Sequence, residues 1–206
     1  MKPNSIVLSA TLLVAGVNFA MAEEGPAVAI SSGRNDVVYL APATEPYEAL
    51  PLGNGQLGVM LHNAPALNYL FNHGSFFANA EQDNELISSG EFAVELPEAW
   101  RKGFLDQRLA LHDAVIITRY QTGTDTHTVK SWMPEGLDLM VVEIESTAVL
   151  PDFTATLSIW ERNIGSTTVA GQKDIALATV GAGGHRTALA VRVVCKEHKQ
   201  SRPVWL

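Results

Sequence analysis

Short segments in which apolar and polar residues alternate cover most of the chain from residue 37 onward. Successive side chains of a β-strand point to opposite faces, so an alternation of period two gives a strand one face for a core and one for water. The clearest alternations lie at 92–96, 153–159 and 189–195. Weaker strands are predicted at 37–40, 57–62, 67–71, 114–120, 126–133, 139–145 and 175–180.

Turn-forming residues separate these segments and indicate the fold class. Gly123 within residues 121–125 predicts a hairpin connection, and Pro134-Glu135-Gly136 predicts the next turn. Helical periodicity is nearly absent, and one short helix is predicted at 97–102, or extending to Gln107. About ten successive strands without helices between them predict an all-β fold, a large antiparallel β-sandwich with at most one short helix.

The first 22 residues have the features of a cleavable secretory signal. Lys2 precedes an apolar run from Ile6 to Phe19, and Ala20-Met21-Ala22 has the spacing of small residues that signal peptidase recognises. A membrane anchor is the alternative, but the run has 14 residues with three polar interruptions, whereas about 20 are needed to cross a bilayer. We therefore expect a signal peptide at 1–22, one domain at 23–206, and an exported protein, periplasmic or extracellular, with no membrane span after cleavage.

Composition narrows the range of partners. The chain has 14 Lys+Arg against 22 Asp+Glu, a formal charge of -8 that becomes -9 when Lys2 leaves with the signal. Such a surface repels phosphate backbones, so nucleic acid is not expected as a partner. The single cysteine, Cys195, has no disulfide partner and no metal-ligand spacing, which favours a small buried apolar side chain. Residues 196–206 become abruptly polar and charged, as in a native tail or an interrupted gene.

Common catalytic signatures are missing from the sequence, which has no nucleophile elbow, zinc-protease helix, Cys-x-x-Cys pair or phosphate-binding loop. The glycines of 181–184 are interpreted as a flexible loop, and six scattered histidines give no metal spacing, so neither cofactor nor metal is expected. Glu143 and Glu145 would share one strand face. A carboxylate pair could act in acid–base hydrolysis, but a solvated strand face is the favoured interpretation. Trp160, on the polar side of its alternation, is the aromatic residue best placed to stack on a sugar.

The most distinctive stretch is Pro51-Leu52-Gly53-Asn54-Gly55-Gln56-Leu57-Gly58. Gly53, Asn54 and Gly55 tolerate positive φ directly before a strand, so the backbone can turn sharply there. Its physical chemistry predicts a tight turn. Its sequence also resembles the Pro-Leu-Gly-Asn-Gly-x-Leu-Gly segment near the start of family 95 glycoside hydrolases, the inverting α-L-fucosidases and their relatives.

The resemblance extends with lower specificity over most of residues 35–160. The Ala41-Pro42-Ala43 segment, Gln107 to Leu111 and the Met133-Pro134-Glu135 turn are similar to elements of the family. Where the family has Leu-Asn-Glu-x-Thr-Leu-Trp, this chain has Phe-Asn-His-Gly-Ser-Phe-Phe at 71–77. Asn72 is thus retained, whereas His73 replaces the glutamate. This departure favours a divergent relative over a true α-L-fucosidase.

The resemblance implies an N-terminal β-supersandwich that packs against an (α/α)6 barrel, which carries the catalytic acid and base in the family. Nothing in this chain resembles the barrel, so no catalytic residue is assigned. The implied role is the exported N-terminal domain of a glycoside hydrolase acting on glycans, fucosylated ones included, with Asn54, Asn72 and His73 at the mouth of a sugar pocket. The barrel would come from the same chain or a separate one. The alternative is a stand-alone carbohydrate-binding or cell-surface β-sandwich without catalysis.

Overall fold

A computed structural model describes residues 35–79, 84–158, 166–172, 175–182 and 185–192. The predicted signal peptide at 1–22 lies outside the described residues, as do Trp160, Cys195 and the 196–206 tail. The described part of the chain is mostly antiparallel β-strand, with one short α-helix and one turn of 3-10 helix. The predicted all-β sandwich is confirmed.

Thirteen strands form three antiparallel sheets within these residues. The strands are β1 (Val37–Tyr39), β2 (Leu50–Gly53), β3 (Leu57–His62), β4 (Leu67–Asn79), β5 (Asn84–Glu95), β6 (Phe104–Ala110), β7 (Val115–Thr122), β8 (Asp125–Trp132), β9 (Val141–Ser146), β10 (Thr154–Ser158), β11 (Ser166–Gln172), β12 (Ile175–Ala182) and β13 (His185–Arg192). The first sheet has the order β1-β6-β7-β8-β9, the second β10-β5-β4-β3-β2 and the third β11-β12-β13. The 3-10 turn at Pro46–Glu48 precedes β2, and the helix α1 (Glu98–Lys102) joins β5 to β6.

The core lies between the first two sheets and follows the alternation in the sequence. In β3, Leu57, Val59 and Leu61 are at most 8% exposed, whereas Gly58 and Met60 between them are partly exposed. Strands β7, β8 and β9 supply the opposite layer, again through every second residue. Removing apolar area from water in this way is the main favourable contribution to folding.

Several polar side chains cross the core and are hydrogen-bonded inside it. The hydroxyl oxygens of Tyr69 in the second sheet and Ser131 in the first lie 2.9 Å apart, and burial raises the pKa of the Tyr69 hydroxyl well above its usual value. Gln107 is fully buried. Its Nε2 donates to Thr118 Oγ1 at 3.0 Å and to Asn63 Oδ1 at 3.2 Å. Because a buried polar group costs free energy unless it is paired, these bonds restrict how the two sheets face each other.

The helix α1 closes one end of the sandwich. Its Trp100 is buried and stacks on His127 of β8, with ring centroids 3.9 Å apart and an angle of 11° between the planes. The His127 ring is bonded at both nitrogens, Nδ1 to Ser146 Oγ at 2.8 Å and Nε2 to Thr122 Oγ1 at 2.7 Å. Burial lowers the pKa of His127. The helix is thereby attached to three strands of the first sheet.

The extension of the helix to Gln107 is wrong, because α1 ends at Lys102 and β6 begins at Phe104. The reason is Gly103, whose carbonyl oxygen accepts a hydrogen bond from Gln121 N at 2.7 Å. A Cβ atom at position 103 would lie 1.9 Å from Gln121 O. Only glycine is accommodated where the chain passes from the helix into the first sheet.

Three strands, β2, β6 and β11, are absent from the sequence prediction. β2 contains Pro51 and Gly53, which indicated a turn, and the core-facing row of β6 begins with the polar Gln107. Of the loop predicted at 181–184, Gly181 and Ala182 belong instead to β12, and Gly183 and Gly184 lie outside the described residues. None of the helices in the described ranges has the length and hydropathy needed to cross a membrane.

Candidate functional site

The turn between β2 and β3 lies at one end of the sandwich, beside the loop between β8 and β9. Asn54 joins the two loops through both groups of its side-chain amide, the NH2 group and the carbonyl oxygen. Its Nδ2 donates to Leu137 O at 2.6 Å and to Pro134 O at 3.2 Å, and its Oδ1 accepts from Leu57 N at 2.9 Å and Gln56 N at 3.2 Å. Asn54 therefore shapes its own turn and attaches that turn to a loop of the other sheet. We call residues 54–56, His73 and the loop 134–138 the turn end.

Both loops of the turn end require a glycine. Gly55 has φ +94° and Gly136 has φ +71°, in the left-handed region that favours residues without a Cβ atom. The predicted turns at both places are confirmed, although Gly53 belongs to β2 rather than to the turn. Local turn chemistry therefore accounts for each loop, and the Asn54 amide accounts for their contact.

His73 reaches the same end of the sandwich from β4. It lies opposite Leu57 in the pairing with β3, and Gly74 N donates to Gln56 O at 2.8 Å. His73 Nε2 is 3.3 Å from Asp138 Oδ1, and the two side chains are 25% and 56% exposed. An imidazole and a carboxylate therefore meet at the rim of the sandwich, partly open to solvent.

Asn72 is the neighbour of His73 in sequence but lies on the other face of the second sheet. Its pairing with Gly58 of β3 is regular, so the alternation of faces holds there. On its other side Asn72 pairs with Ser88, where the register with β5 shifts. The structure thus brings Asn54 and His73 together through the β8–β9 loop and leaves Asn72 on the outer face.

The carboxylates of Glu143 and Glu145 share one face of β9, as predicted. Lys130 of the neighbouring β8 places its Nζ 3.0 Å from Glu145 Oε2 and 3.9 Å from Glu143 Oε2. The pair lies on the outer face of the first sheet with its charge partly compensated by Lys130. This arrangement is that of a solvated strand face rather than of an acid–base pair around a substrate.

Asp138 is the member of the turn end that the sequence did not indicate. Its only local signal is a polar residue following a Pro-Glu-Gly turn, and its contact with His73 joins distant parts of the chain. Across the described ranges, no three His, Cys, Asp or Glu side chains are grouped closely enough to hold a metal ion. The chemistry that the turn end offers is hydrogen bonding, with an imidazole, a carboxylate and backbone groups, and such groups suit hydroxyl-bearing ligands.

A comparison of the chain with models of known protein families finds no match, and a comparison with curated proteins finds none either. The resemblance to family 95 therefore depends on the residues quoted for it, those at 51–58 above all.

Proposed function

We propose that this chain is the exported, non-catalytic β-sandwich domain of a family 95-like glycoside hydrolase that acts on glycans. The (α/α)6 barrel that carries catalysis in the family would act together with this domain, either in cis, as part of a longer polypeptide, or in trans, as a separate protein. The observation that carries the proposal is the position of the segment 51–58, which forms the turn that Asn54 attaches to the β8–β9 loop. The segment that resembles the family thus organises the end of the sandwich where ligand-binding groups are exposed.

Within this proposal the residues of the turn end have different roles. Asn54 is a positioning residue, because its amide is engaged in four hydrogen bonds inside the protein. His73 and Asp138 supply the ligand contacts, since they are partly exposed and their groups donate to and accept from sugar hydroxyls. Asn72, on the outer face of the second sheet, belongs to a separate surface that is available to a glycan or to the barrel.

Calorimetric titration of the full chain with a fucosylated lactose, and with lactose as the matched ligand without fucose, tests binding at the turn end. We expect His73→Ala and Asp138→Asn each to weaken binding about twofold to tenfold, because one hydrogen bond has a net worth of roughly 0.5–1.5 kcal/mol. Thr124→Ala is the control, because this exposed residue lies in the β7–β8 turn at the opposite end. Equal affinity in all variants, or no saturable heat with either ligand, would contradict the assignment.

The absence of catalysis by the chain alone is tested with aryl α-L-fucosides and other aryl glycosides. We expect no turnover by the purified chain. Turnover that disappears in Glu143→Gln or Glu145→Gln would refute the proposal, because it would give these carboxylates the catalytic role that Lys130 argues against.

A stand-alone carbohydrate-binding or cell-surface domain is the second candidate, and one observation favours it. Trp132 is partly exposed and, because it follows the buried Ser131 in β8, it faces the outer side of the first sheet. It pairs with Val115 of β7 and Val141 of β9. An aromatic ring on a flat sheet face offers a surface for the apolar face of a sugar. Under this alternative, Trp132→Ala abolishes glycan binding while His73→Ala leaves it unchanged. A stand-alone domain has no large apolar face that a barrel would otherwise cover, so the purified chain should then also be monodisperse in light scattering.

A further inference from the structure

Asn54 is directly followed by Gly55, and no other asparagine of the chain precedes a glycine. The backbone nitrogen of the residue after an asparagine can attack the carbonyl carbon of the asparagine side chain and close a cyclic imide. Glycine favours this attack, because it has no Cβ atom beside the nitrogen and its backbone is conformationally free. Gly55 is exposed, so water has access to the place where the imide would form. The pair therefore meets the covalent requirements of a deamidation site.

The fold holds the reacting side chain of Asn54 by four hydrogen bonds. Its NH2 group donates to Leu137 O at 2.6 Å and to Pro134 O at 3.2 Å. Its carbonyl oxygen accepts from Leu57 N at 2.9 Å and from Gln56 N at 3.2 Å. Backbone carbonyl groups only accept and backbone N–H groups only donate, so these partners determine the orientation of the amide. The NH2 group is the leaving group of the reaction, so its bonds to the loop must break before the imide is complete.

We infer that Asn54 is a deamidation site that stays unreacted while its turn is attached to the loop 134–138. In the reaction, Gly55 N loses its proton and bonds to Cγ of Asn54, and the bond from Cγ to the side-chain nitrogen breaks. That nitrogen leaves with the proton as ammonia. Water then adds to one of the two carbonyl carbons of the imide, which gives aspartate at one carbon and isoaspartate at the other. No oxidation or reduction takes place, and the inference does not rest on the function proposed for the turn end.

The product of the reaction cannot restore the attachment. Neither carboxylate has an N–H group to donate to Pro134 O and Leu137 O, and each brings a negative charge toward these carbonyl oxygens. Isoaspartate also lengthens the backbone of the turn by one carbon. The loop that carries Asp138 to its contact with His73 is then released from the turn. Deamidation therefore makes a transient opening of the turn end permanent.

Peptide mapping by mass spectrometry measures the reaction in the full chain, because the exchange of NH2 for OH changes the mass of the peptide that contains Asn54. The protein is incubated in mildly alkaline buffer, with and without enough guanidinium chloride to unfold it. We expect Asn54 to react at least tenfold more slowly in the folded chain, the equivalent of about 1.4 kcal/mol. In the denaturant, Gly55→Ala should slow the reaction, because its Cβ atom hinders the attacking nitrogen. Equal rates in the folded and unfolded chain, or no reaction in the unfolded chain, would overturn the inference.

Two glycine variants show whether the attachment, rather than the fold as a whole, protects Asn54. Gly136 in the loop 134–138 has φ +71°, and Gly123 in the β7–β8 turn at the opposite end has φ +62°. Alanine is strained at both positions, but only Gly136→Ala strains the loop that holds Asn54. We expect Gly136→Ala to speed the reaction about tenfold and Gly123→Ala to leave it unchanged. The same rate in both variants would show that the attachment is not what protects Asn54.

Hydrogen exchange in the unsubstituted protein tests the same point if Gly136→Ala fails to fold. The N–H group of Leu57 donates to Asn54 Oδ1, so it exchanges with solvent when this bond opens. We expect the protection of Leu57 N–H to be of the same order as the factor by which folding slows deamidation. If Leu57 N–H exchanges freely while Asn54 stays unreacted, the hydrogen bonds of Asn54 do not control the reaction and the inference is wrong.

Discussion

The amide of Asn54 connects the two sheets at the turn end, and its removal measures how much that connection stabilises the fold. Asn54→Ala loses two hydrogen bonds that Nδ2 donates and two that Oδ1 accepts. At a net worth of about 0.5–1.5 kcal/mol each, these bonds sum to roughly 2–6 kcal/mol. Water can replace the partner of the exposed Gln56 N–H, so we expect the lower part of that range, a loss of about 2–3 kcal/mol. Such a loss is a large share of the stability of a single domain.

Asn54→Asp separates the two halves of the interaction. The carboxylate keeps an acceptor for Gln56 N and Leu57 N, but it offers no donor to the carbonyl oxygens of Pro134 and Leu137. We expect a loss of about 1–3 kcal/mol, since two carbonyl groups lose their partner and face a negative charge. The amides of the β8–β9 loop should exchange faster with solvent, while those of the β2–β3 turn stay protected.

Urea unfolding of the full chain, followed by tryptophan fluorescence, gives the free energy of unfolding, and hydrogen exchange resolves the two loops. Gln56→Ala in the same turn is the control, because its side chain is exposed. A surface substitution of this kind changes stability by less than about 0.5 kcal/mol. If the free energy of unfolding of Asn54→Ala stays within that margin of the value for the unsubstituted protein, the connection between the β2–β3 turn and the β8–β9 loop contributes no stability. Asn54 is then not a positioning residue.

Three further predictions concern the core and the passage from α1 to β6. Gly103→Ala forces a Cβ atom to within 1.9 Å of Gln121 O and should cost about 3 kcal/mol by overpacking; an unchanged urea midpoint would contradict this. Tyr69→Phe leaves the buried Ser131 hydroxyl without its partner and should cost about 1–3 kcal/mol, most of which the double variant with Ser131→Ala recovers. An equal loss in the single and double variants would speak against the bond. Burial holds the pKa of His127 below its usual value of about 6.5, so the unfolded chain takes up the proton first as the pH falls. The contribution of His127 to the free energy of unfolding is therefore complete above about pH 6.5 and is lost as the pH drops toward the pKa of the folded state. Urea unfolding at several pH values should show that this free energy falls less with decreasing pH in His127→Gln than in the unsubstituted protein.

Strands with wholly apolar core faces were the most predictable from the sequence. The strand predicted at 57–62 has the bounds of β3, because leucine and valine alternate there without interruption. β6 was missed because Gln107 stands in its core-facing row beside Leu109. The burial of Gln107 depends on a hydrogen bond to Thr118 on the neighbouring strand. Periodicity detects apolar burial, but it does not detect a polar residue whose partner is supplied by the fold.

Prediction of the candidate site from the sequence has the same limit. Turn chemistry indicates the sharp turn around Gly55, yet nothing near it in sequence indicates that the loop 134–137 meets it. The contact of His73 with Asp138 is likewise made by segments that are remote along the chain. Local patterns predicted the turns, and the long-range contacts that join them into a site came only from the fold.

The attachment of Asn54 also sets an order for the folding of a growing chain. The carbonyl groups that it binds belong to residues 80 and 83 positions further along, so the β2–β3 hairpin can pair long before its turn is attached. The second sheet likewise gains β10 only when residues 154–158 reach β5. Topologies that wait for such remote pairings fold slowly, on scales of milliseconds to seconds. A chain that crosses a membrane through a secretion channel has to stay unfolded until it has passed, and slow folding of this kind suits the export that its first 22 residues predict.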